Sequence, residues 1–312
     1  MGETLGINMK VEILADSINA ETGDRLTAFL ATFPRVILAE INTHRALSRN
    51  SASSRARPFK TVVKEVMKDP FIPIGFQEDH KGMQGTKYLS GFKLKIAKFL
   101  WLRGRDLAVI SAIFLSKIGV TKQLCNRILE PFLWHTAILS GTEWENFFAL
   151  RAHDAAEIHL QKLAYLMLEE YNKSIPIVRY PIEINQVDGE YSVEQFLEAN
   201  PNLDWHLIFQ DKMPEGLTKF EQLKVCSSRA ARVSYLTFDN KLDINKDFEI
   251  FGKLIETPPL HASPVEYAAF PIKESKFVGN LKGWFCFRKL FSNENAADPR
   301  VIKRRVVNGK VI

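Results

Sequence analysis

The sequence predicts a mixed α/β (α+β) fold, a mixed sheet with long helices. Three observations carry this. Lys10 to Ala15 alternates in the two-residue period of a strand, apolar positions recur at helical spacing from Phe92 to Lys117, and they do so again from Trp144 onward. With 312 residues, 46% apolar and 11% aromatic, the chain has ample material for a buried core in one large domain or two.

After the first strand, Pro34 reads as a helix opener leading into Val36 to Ile41, so the polar stretch that follows sits at the end of a helix. Residues 58 to 90 carry Pro58, Pro70, Pro73, Gly75, Gly82 and Gly85, the pattern of an irregular connection. Within the Phe92 to Lys117 helix, Leu107 to Leu115 is the longest apolar stretch. It is too short to cross a bilayer and reads as buried helix. Thr142-Glu143-Trp144-Glu145 has the form of a capping box, and Trp144, Phe147, Phe148, Ala155 and Ile158 then mark an apolar stripe. Arg151 lies on that stripe. A buried arginine needs a partner, so either an internal salt bridge or a functional role is expected there. Residues 171 to 225, with Pro176, Pro181, Pro201 and Pro214, read as a connecting subregion, and no internal repeat is found.

A formal charge of +6 and pI near 9.1 suit an anionic partner: a nucleotide, a cofactor phosphate or nucleic acid. Cys125, Cys226 and Cys286 are odd in number and lack C-x-x-C spacing, so neither a disulfide framework nor a zinc site is indicated, and a reducing cytoplasm fits. The N-terminus does not read as a secretion signal. His153, Asp154, Glu157 and His159 look like metal ligands, but on a helix the two histidines would face different sides, so no metal site is expected. His80, His135 and His206 read as surface or satisfied core residues.

The stretch Thr43 to Arg55 holds three arginines, a histidine, an asparagine, four serines and no acid. Hydroxyls and turn amides donate hydrogen bonds, and arginine adds a charged planar fork, so this composition is suited to an anion. Composition alone equally describes a solvated basic loop. Order is more specific. The string resembles the R-H-R-x-x-S-x-N-E-x-S-x-R-Y signature of the flavin-dependent thymidylate synthases, matching at His44, Arg45, Ser48, Asn50, Ser53 and Arg55 and departing at Thr43, Ser51 and Ala56.

Further blocks resemble the same family. Ala230 to Tyr235 (A-A-R-V-S-Y) is similar to a block whose serine, here Ser234, touches flavin. His261-x-Ser263-Pro264-x-Glu266 is similar to H-x-[ST]-P-F-E-H, with Tyr267 in place of the last histidine. Arg127 to Thr136 resembles a phosphate-holding block, and Asn146 to Arg151 resembles the helix whose last arginine pairs with the uracil ring. In the family the V-S and S-P-x-E blocks precede the signature, whereas here they follow it. The resemblance therefore implies a circularly permuted chain, and Asn280 and Arg288 are further residues that would serve the site.

The resemblance implies one catalytic domain over residues 1–312, with insertions at about 58–120 and 171–225. It also implies a homotetramer making dTMP from dUMP with FAD, NADPH and methylenetetrahydrofolate. Arg151 would be catalytic; His44, Arg45, Asn146, Ser234, His261, Ser263 and Glu266 would hold cofactor; Ser51, Ser53, Ser54, Arg55, Arg127 and Arg151 would hold substrate. The cysteines read as buried hydrophobes, which favours polarising the ring over covalent attack by a thiolate. Two rivals stay open. One is a sister enzyme transferring hydroxymethyl or acting on dCMP. The other is a nucleic-acid-binding protein using Arg45, Arg49, Arg55, Arg57 and Lys303-Arg304-Arg305, against which the aromatic residues sit in apolar stripes rather than among the basic ones.

Overall fold

The computed structural model describes residues 9–82, 85–187, 189–233, 243–257, 260–295, 306–308 and 310–311. In chain order its elements are β1 (Lys10–Asn19), β2 (Arg25–Pro34), α1 (Leu38–Ile41), β3 (Ser48–Ser51), α2 (Phe59–Lys68), α3 (Gly91–Lys117), α4 (Lys122–Ile128), β4 (Trp134–Gly141), α5 (Trp144–Arg151), α6 (Ile158–Lys173), β5 (Ile177–Arg179), α7 (Val193–Ala199), β6 (His206–Leu207), α8 (Lys219–Val233), α9 (Ile244–Phe251), β7 (Ala268–Pro271), β8 (Phe277–Val278), β9 (Leu281–Lys282) and β10 (Trp284–Cys286).

The main sheet has the order β3-β4-β2-β1-β5, antiparallel throughout except for β5, which runs parallel to β1. Alternation along its central strands sends side chains to two cores. Phe29, Ala31 and Phe33 of β2 and Ala137 and Leu139 of β4 pack with Trp144, Phe147, Leu160 and Leu163 of α5 and α6. On the other face Ala28 and Ile138 meet Phe196 of α7, Trp205, Ala230 of α8 and Tyr267. A smaller sheet, β10-β7-β6, lies on that side. The β1–β2 turn is tied to it by Asn19, whose Oδ1 accepts from Glu21 N at 3.0 Å and whose Nδ2 donates to Gly283 O at 2.7 Å. Among the described residues no helix is long and apolar enough to cross a membrane.

The structure departs from the sequence reading at several elements. Pro34 closes β2 and α1 is a single turn. The middle of the polar stretch is a strand, because Ser48–Ser51 pairs with β4. Residues 58 to 90 contain a ten-residue helix, α2, which Pro58 precedes with φ −60-like extended backbone suited to a helix start. The capping box does not form: the Thr142 hydroxyl instead accepts from Lys282 N at 3.1 Å. The stripe from Trp144 is broken after Arg151, and α6 starts afresh with the Glu157 carboxylate accepting from His159 N (2.9 Å) and Leu160 N (3.0 Å). Ala155 thus lies outside the helix. Residues 171–225 are integral rather than connecting, supplying β5 to the main sheet and β6 to the second. Leu107 to Leu115 is helical but not buried, with Leu107, Ile110 and Phe114 exposed, while Val109 and Ala112 join a third core with Val62, Val66 and Leu129.

One charged cluster is sealed in the interior. Asp247 of α9, 0% exposed, accepts from Arg229 Nε at 3.3 Å and Arg232 Nη1 at 3.2 Å, both from α8, and Arg229 also donates to Lys212 O at 2.9 Å. Neutralising the carboxylate would remove the buried counter-charge that two guanidiniums share. We expect Asp247→Asn to cost about 3–5 kcal/mol in urea unfolding, the usual penalty for breaking a buried pair. A loss under about 1 kcal/mol would mean that the cluster does not hold α8 to α9.

Candidate functional site

The site is built around the edge strand β3. Ser48 and Asn50 are buried. Asn50 Nδ2 donates to the Ala230 carbonyl of α8, and Asn280 Nδ2 donates to Ser48 Oγ at 3.3 Å. The 3₁₀ turn Ser263–Tyr267 packs along the same strand. Residues far apart in sequence thereby meet at one place.

At the start of β3, Arg151 at the end of α5 donates from Nε to His44 Nε2 at 2.8 Å and from Nη2 to Thr43 Oγ1 at 3.2 Å. The sequence reading expected an inward-facing arginine, with a salt bridge as one possibility. Arg151 is instead half-buried, and among the described residues no carboxylate is ion-paired to it. Because a guanidinium only donates, His44 Nε2 must be an unprotonated acceptor, which places the ring proton on Nδ1. Burial lowers the His44 pKa below its ordinary 6.5, and the charges of Arg151 and Arg49 lower it further. The ring stands edge-on to Phe147, centroids 4.9 Å apart, and Arg49 Nη1 donates to the His44 carbonyl at 2.6 Å. Arg45 is exposed beside this group.

Beyond the other end of β3, α4 docks under the loop 52–57. Asn126 Nδ2 donates to Ser54 O (2.7 Å) and Arg57 O (3.1 Å), and Arg55 Nε donates to Gln123 Oε1 at 3.2 Å. Arg55 and Arg127 are exposed on this shared surface, with Ser51 and Ser53 half-buried. Ser54, by contrast, is buried, and its hydroxyl donates to Glu130 Oε1 at 2.5 Å. Arg57 is likewise buried and paired with Glu65. The two groups are separated by the length of β3, on the order of 10 Å from the rise of an extended strand.

The C-terminal residues fall into two sets. Glu266, expected to hold cofactor, is ion-paired with Arg288, which also donates from Nε to Glu294 Oε1 at 2.6 Å. This pair ties the 263–267 turn to the segment 288–294. His261 and Ser263 are exposed, as is Asn146 on α5. Ser234 lies outside the described residues, as do Lys303, Arg304 and Arg305. Tyr267 is buried, and burial with the Glu266 charge nearby pushes its phenol well above the ordinary value.

Burial pushes the Cys226 and Cys286 thiols up to about 12, and Cys125 is buried too, so none is poised as a nucleophile. His153 lies in the break between α5 and α6, whereas His159 Nε2 accepts from Ile74 N at 2.9 Å. Among the described residues no group of three or more His, Cys, Asp or Glu could hold a metal. His135 and His206 are buried, their pKa values lowered to about 3 by desolvation, and His80 is exposed. Sequence reasoning missed Thr43 and Arg49 as partners of the Arg151 group. Both lie in the polar string, but strand geometry was needed to aim them.

No family model matches the sequence, and no curated protein matches it. Among solved structures, the chain is similar to the UMP/dUMP methylase PolB from Streptomyces cacaoi bound with 5-Br UMP, with TM-score 0.46 and 15% identity, over 54% of this chain and 90% of that one. The same methylase bound with 5-Br dUMP gives TM-score 0.45 and 13% identity, over 54% and 91%.

The Arg151–His44 contact requires a neutral imidazole. Because the His44 pKa is lowered, the contact should hold at neutral pH and be lost only as pH falls through a value below 6.5. An NMR titration of the His44 ring reads this directly, and a midpoint above 6.5 would show that the guanidinium does not face the ring.

Proposed function

We propose that the chain is a flavin-dependent enzyme of the thymidylate synthase type, circularly permuted and homotetrameric. It would methylate dUMP at C5 to give dTMP, using FAD, NADPH and methylenetetrahydrofolate. The observation that carries this reading is the Arg151–His44 hydrogen bond of 2.8 Å. Two blocks that each resemble the same family, and that are 107 residues apart, meet side chain to side chain.

In this reading Arg151 stabilises negative charge developing on the uracil ring. It keeps its full charge because its fixed partners are a neutral imidazole and a hydroxyl rather than a carboxylate. Ser53, Arg55 and Arg127 hold the nucleotide phosphate at the far end of β3, and bidentate guanidinium contacts set its register. Arg45, His261 and Ser263 would hold FAD. All three are exposed around β3, and none is committed to a side-chain partner among the described residues, which fits an anionic cofactor. When bound, the flavin supplies the hydride and relays the one-carbon unit. The buried thiols fit a route in which no cysteine attacks the ring.

One observation favours a sister reaction, hydroxymethyl transfer or dCMP as substrate. Thr43 stands where the family has arginine, and its hydroxyl accepts from Arg151 at 3.2 Å, so the charge beside the ring differs. Analysis of the product formed from each nucleotide decides between them.

The purified protein reconstituted with FAD should show a flavin spectrum, and its absence, with binding to nucleic acid instead, would overturn the proposal. Arg151→Ala should leave the fold and the flavin spectrum intact and abolish turnover. Arg151→Lys should fail as well, since a point charge cannot replace the fork. Near wild-type product formation by either variant would remove Arg151 from its assigned role.

Ser53→Ala and Arg55→Ala should raise the nucleotide KM more than they lower kcat, because a phosphate contact is made in ground and transition states alike. Steady-state kinetics showing equal losses in kcat and kcat/KM would move these residues to the reacting centre.

A further inference from the structure

Helix α3 is 27 residues long, hence about 40 Å, and it touches the rest of the chain on one side only. Val109 and Ala112 are its buried residues, packed in the small core with α2 and α4. The opposite side is largely apolar, with Arg103, 62% exposed and ion-paired to Asp106, set within it. Phe92 is 76% exposed, Leu100 59%, Phe114 61% and Ile118, just past the helix end, 76%. Ile96 and Ile110 continue the same stripe: successive members are four residues apart except for the longer step from Leu100 to Ile110, which is close to three helical turns, so all lie on one face. With Phe99 and Leu107 beside them, these side chains present on the order of 900 Å² of largely apolar surface. That exceeds the largest patch of a typical monomer and is about what one partner of a standard interface buries.

The stripe is also symmetric. Phe92 and Ile118, Ile96 and Phe114, and Leu100 and Ile110 are each equidistant from Arg105 along the chain. A two-fold axis at Arg105 would therefore lay each of these six residues of one α3 against another of the six, with Phe99 and Leu107 falling opposite Ser111 and Arg103. Charge sets the direction. Lys93, Lys95, Lys98, Arg103 and Arg105 crowd the first half of the helix, whereas residues 107–116 carry no charge. Parallel pairing would stack like charges, and antiparallel pairing sets each basic half against a neutral one. A helix lying on a lipid surface needs one strongly polar face, but α3 is apolar on two sides, one covered by its own chain and one left for a partner.

We infer that α3 is a self-association surface: it pairs antiparallel with α3 of a second copy about a two-fold axis at Arg105, an isologous interface built from an element that the proposed catalytic site does not use. The full-length chain tests this without any activity measurement: a monomeric wild type would also remove the homotetramer from the functional reading, whereas the glutamate variant and the cross-link test α3 alone and leave the proposed chemistry untouched. At micromolar concentration, light scattering should give a dimer or a multiple of it. The double variant Leu107→Glu, Phe114→Glu, both exposed in the single chain, should halve that mass with an unchanged circular-dichroism melt. The three native cysteines are buried, so introduced thiols report cleanly. A mixture of the single variants Ile96→Cys and Phe114→Cys should form a disulfide-linked dimer on oxidation, and neither variant alone should do so. The inference is overturned by a monomeric wild type, including one that cosediments with phosphatidylserine vesicles. It is equally overturned by a glutamate double variant of wild-type mass, or by cross-linking of Ile96→Cys alone as efficiently as the mixture.

Discussion

The closure of the edge strand β3 is the constraint on which the candidate site depends. An edge strand presents unpaired backbone groups and must be covered. Here the turn 263–267 packs along the strand, and α8 lies on the sheet face beside it, tied by the Asn50 amide to the Ala230 carbonyl. An apolar residue of similar size in place of Asn50 would lose this buried hydrogen bond between β3 and α8. The contact aligns the N-terminal polar string with the C-terminal third, and His44, Arg49 and Ser48 take their positions from it.

Against that frame the treatment of arginine is selective. Arg25 is paired with Asp16, Arg57 with Glu65, Arg179 with Asp204, Arg229 and Arg232 with Asp247, and Arg288 with Glu266. Each of these charges is balanced locally and serves packing. Arg151 is held by a neutral imidazole and a hydroxyl, so its orientation is fixed without cancelling its field. Orientation without neutralisation is what electrostatic stabilisation of a developing anion requires.

The sequence disclosed the α/β class, β1, α3 and the start of α5 because their apolar periods are strong. It did not disclose β3, since Ser-Arg-Asn-Ser has no strand propensity and is held extended by β4 and α8. The break after Arg151 was also hidden, as Ala152 to Glu157 contains neither proline nor glycine and the second cap lies in Glu157. Within the site, the anomaly of Arg151 was legible, but its partner was not. The stripe argument pointed it inward, whereas the helix ends there and releases it toward His44. A string also cannot show that Ser54 and Glu266 are already bonded to Glu130 and Arg288. Asn280 and Arg288 lie against Ser48 and Glu266.

The order of the blocks has a consequence for how the chain is made. The β1–β2 hairpin can close as soon as it emerges, and β3 can join once β4 follows. The residue that covers Asn50, however, lies 180 positions downstream. At about 5–20 residues per second, the outer edge of β3 waits on the order of 10–40 s during synthesis before α8 arrives. Its polar, arginine-bearing sequence then takes on a second meaning: through that interval, charge and short length protect an open sheet edge from pairing with another nascent chain.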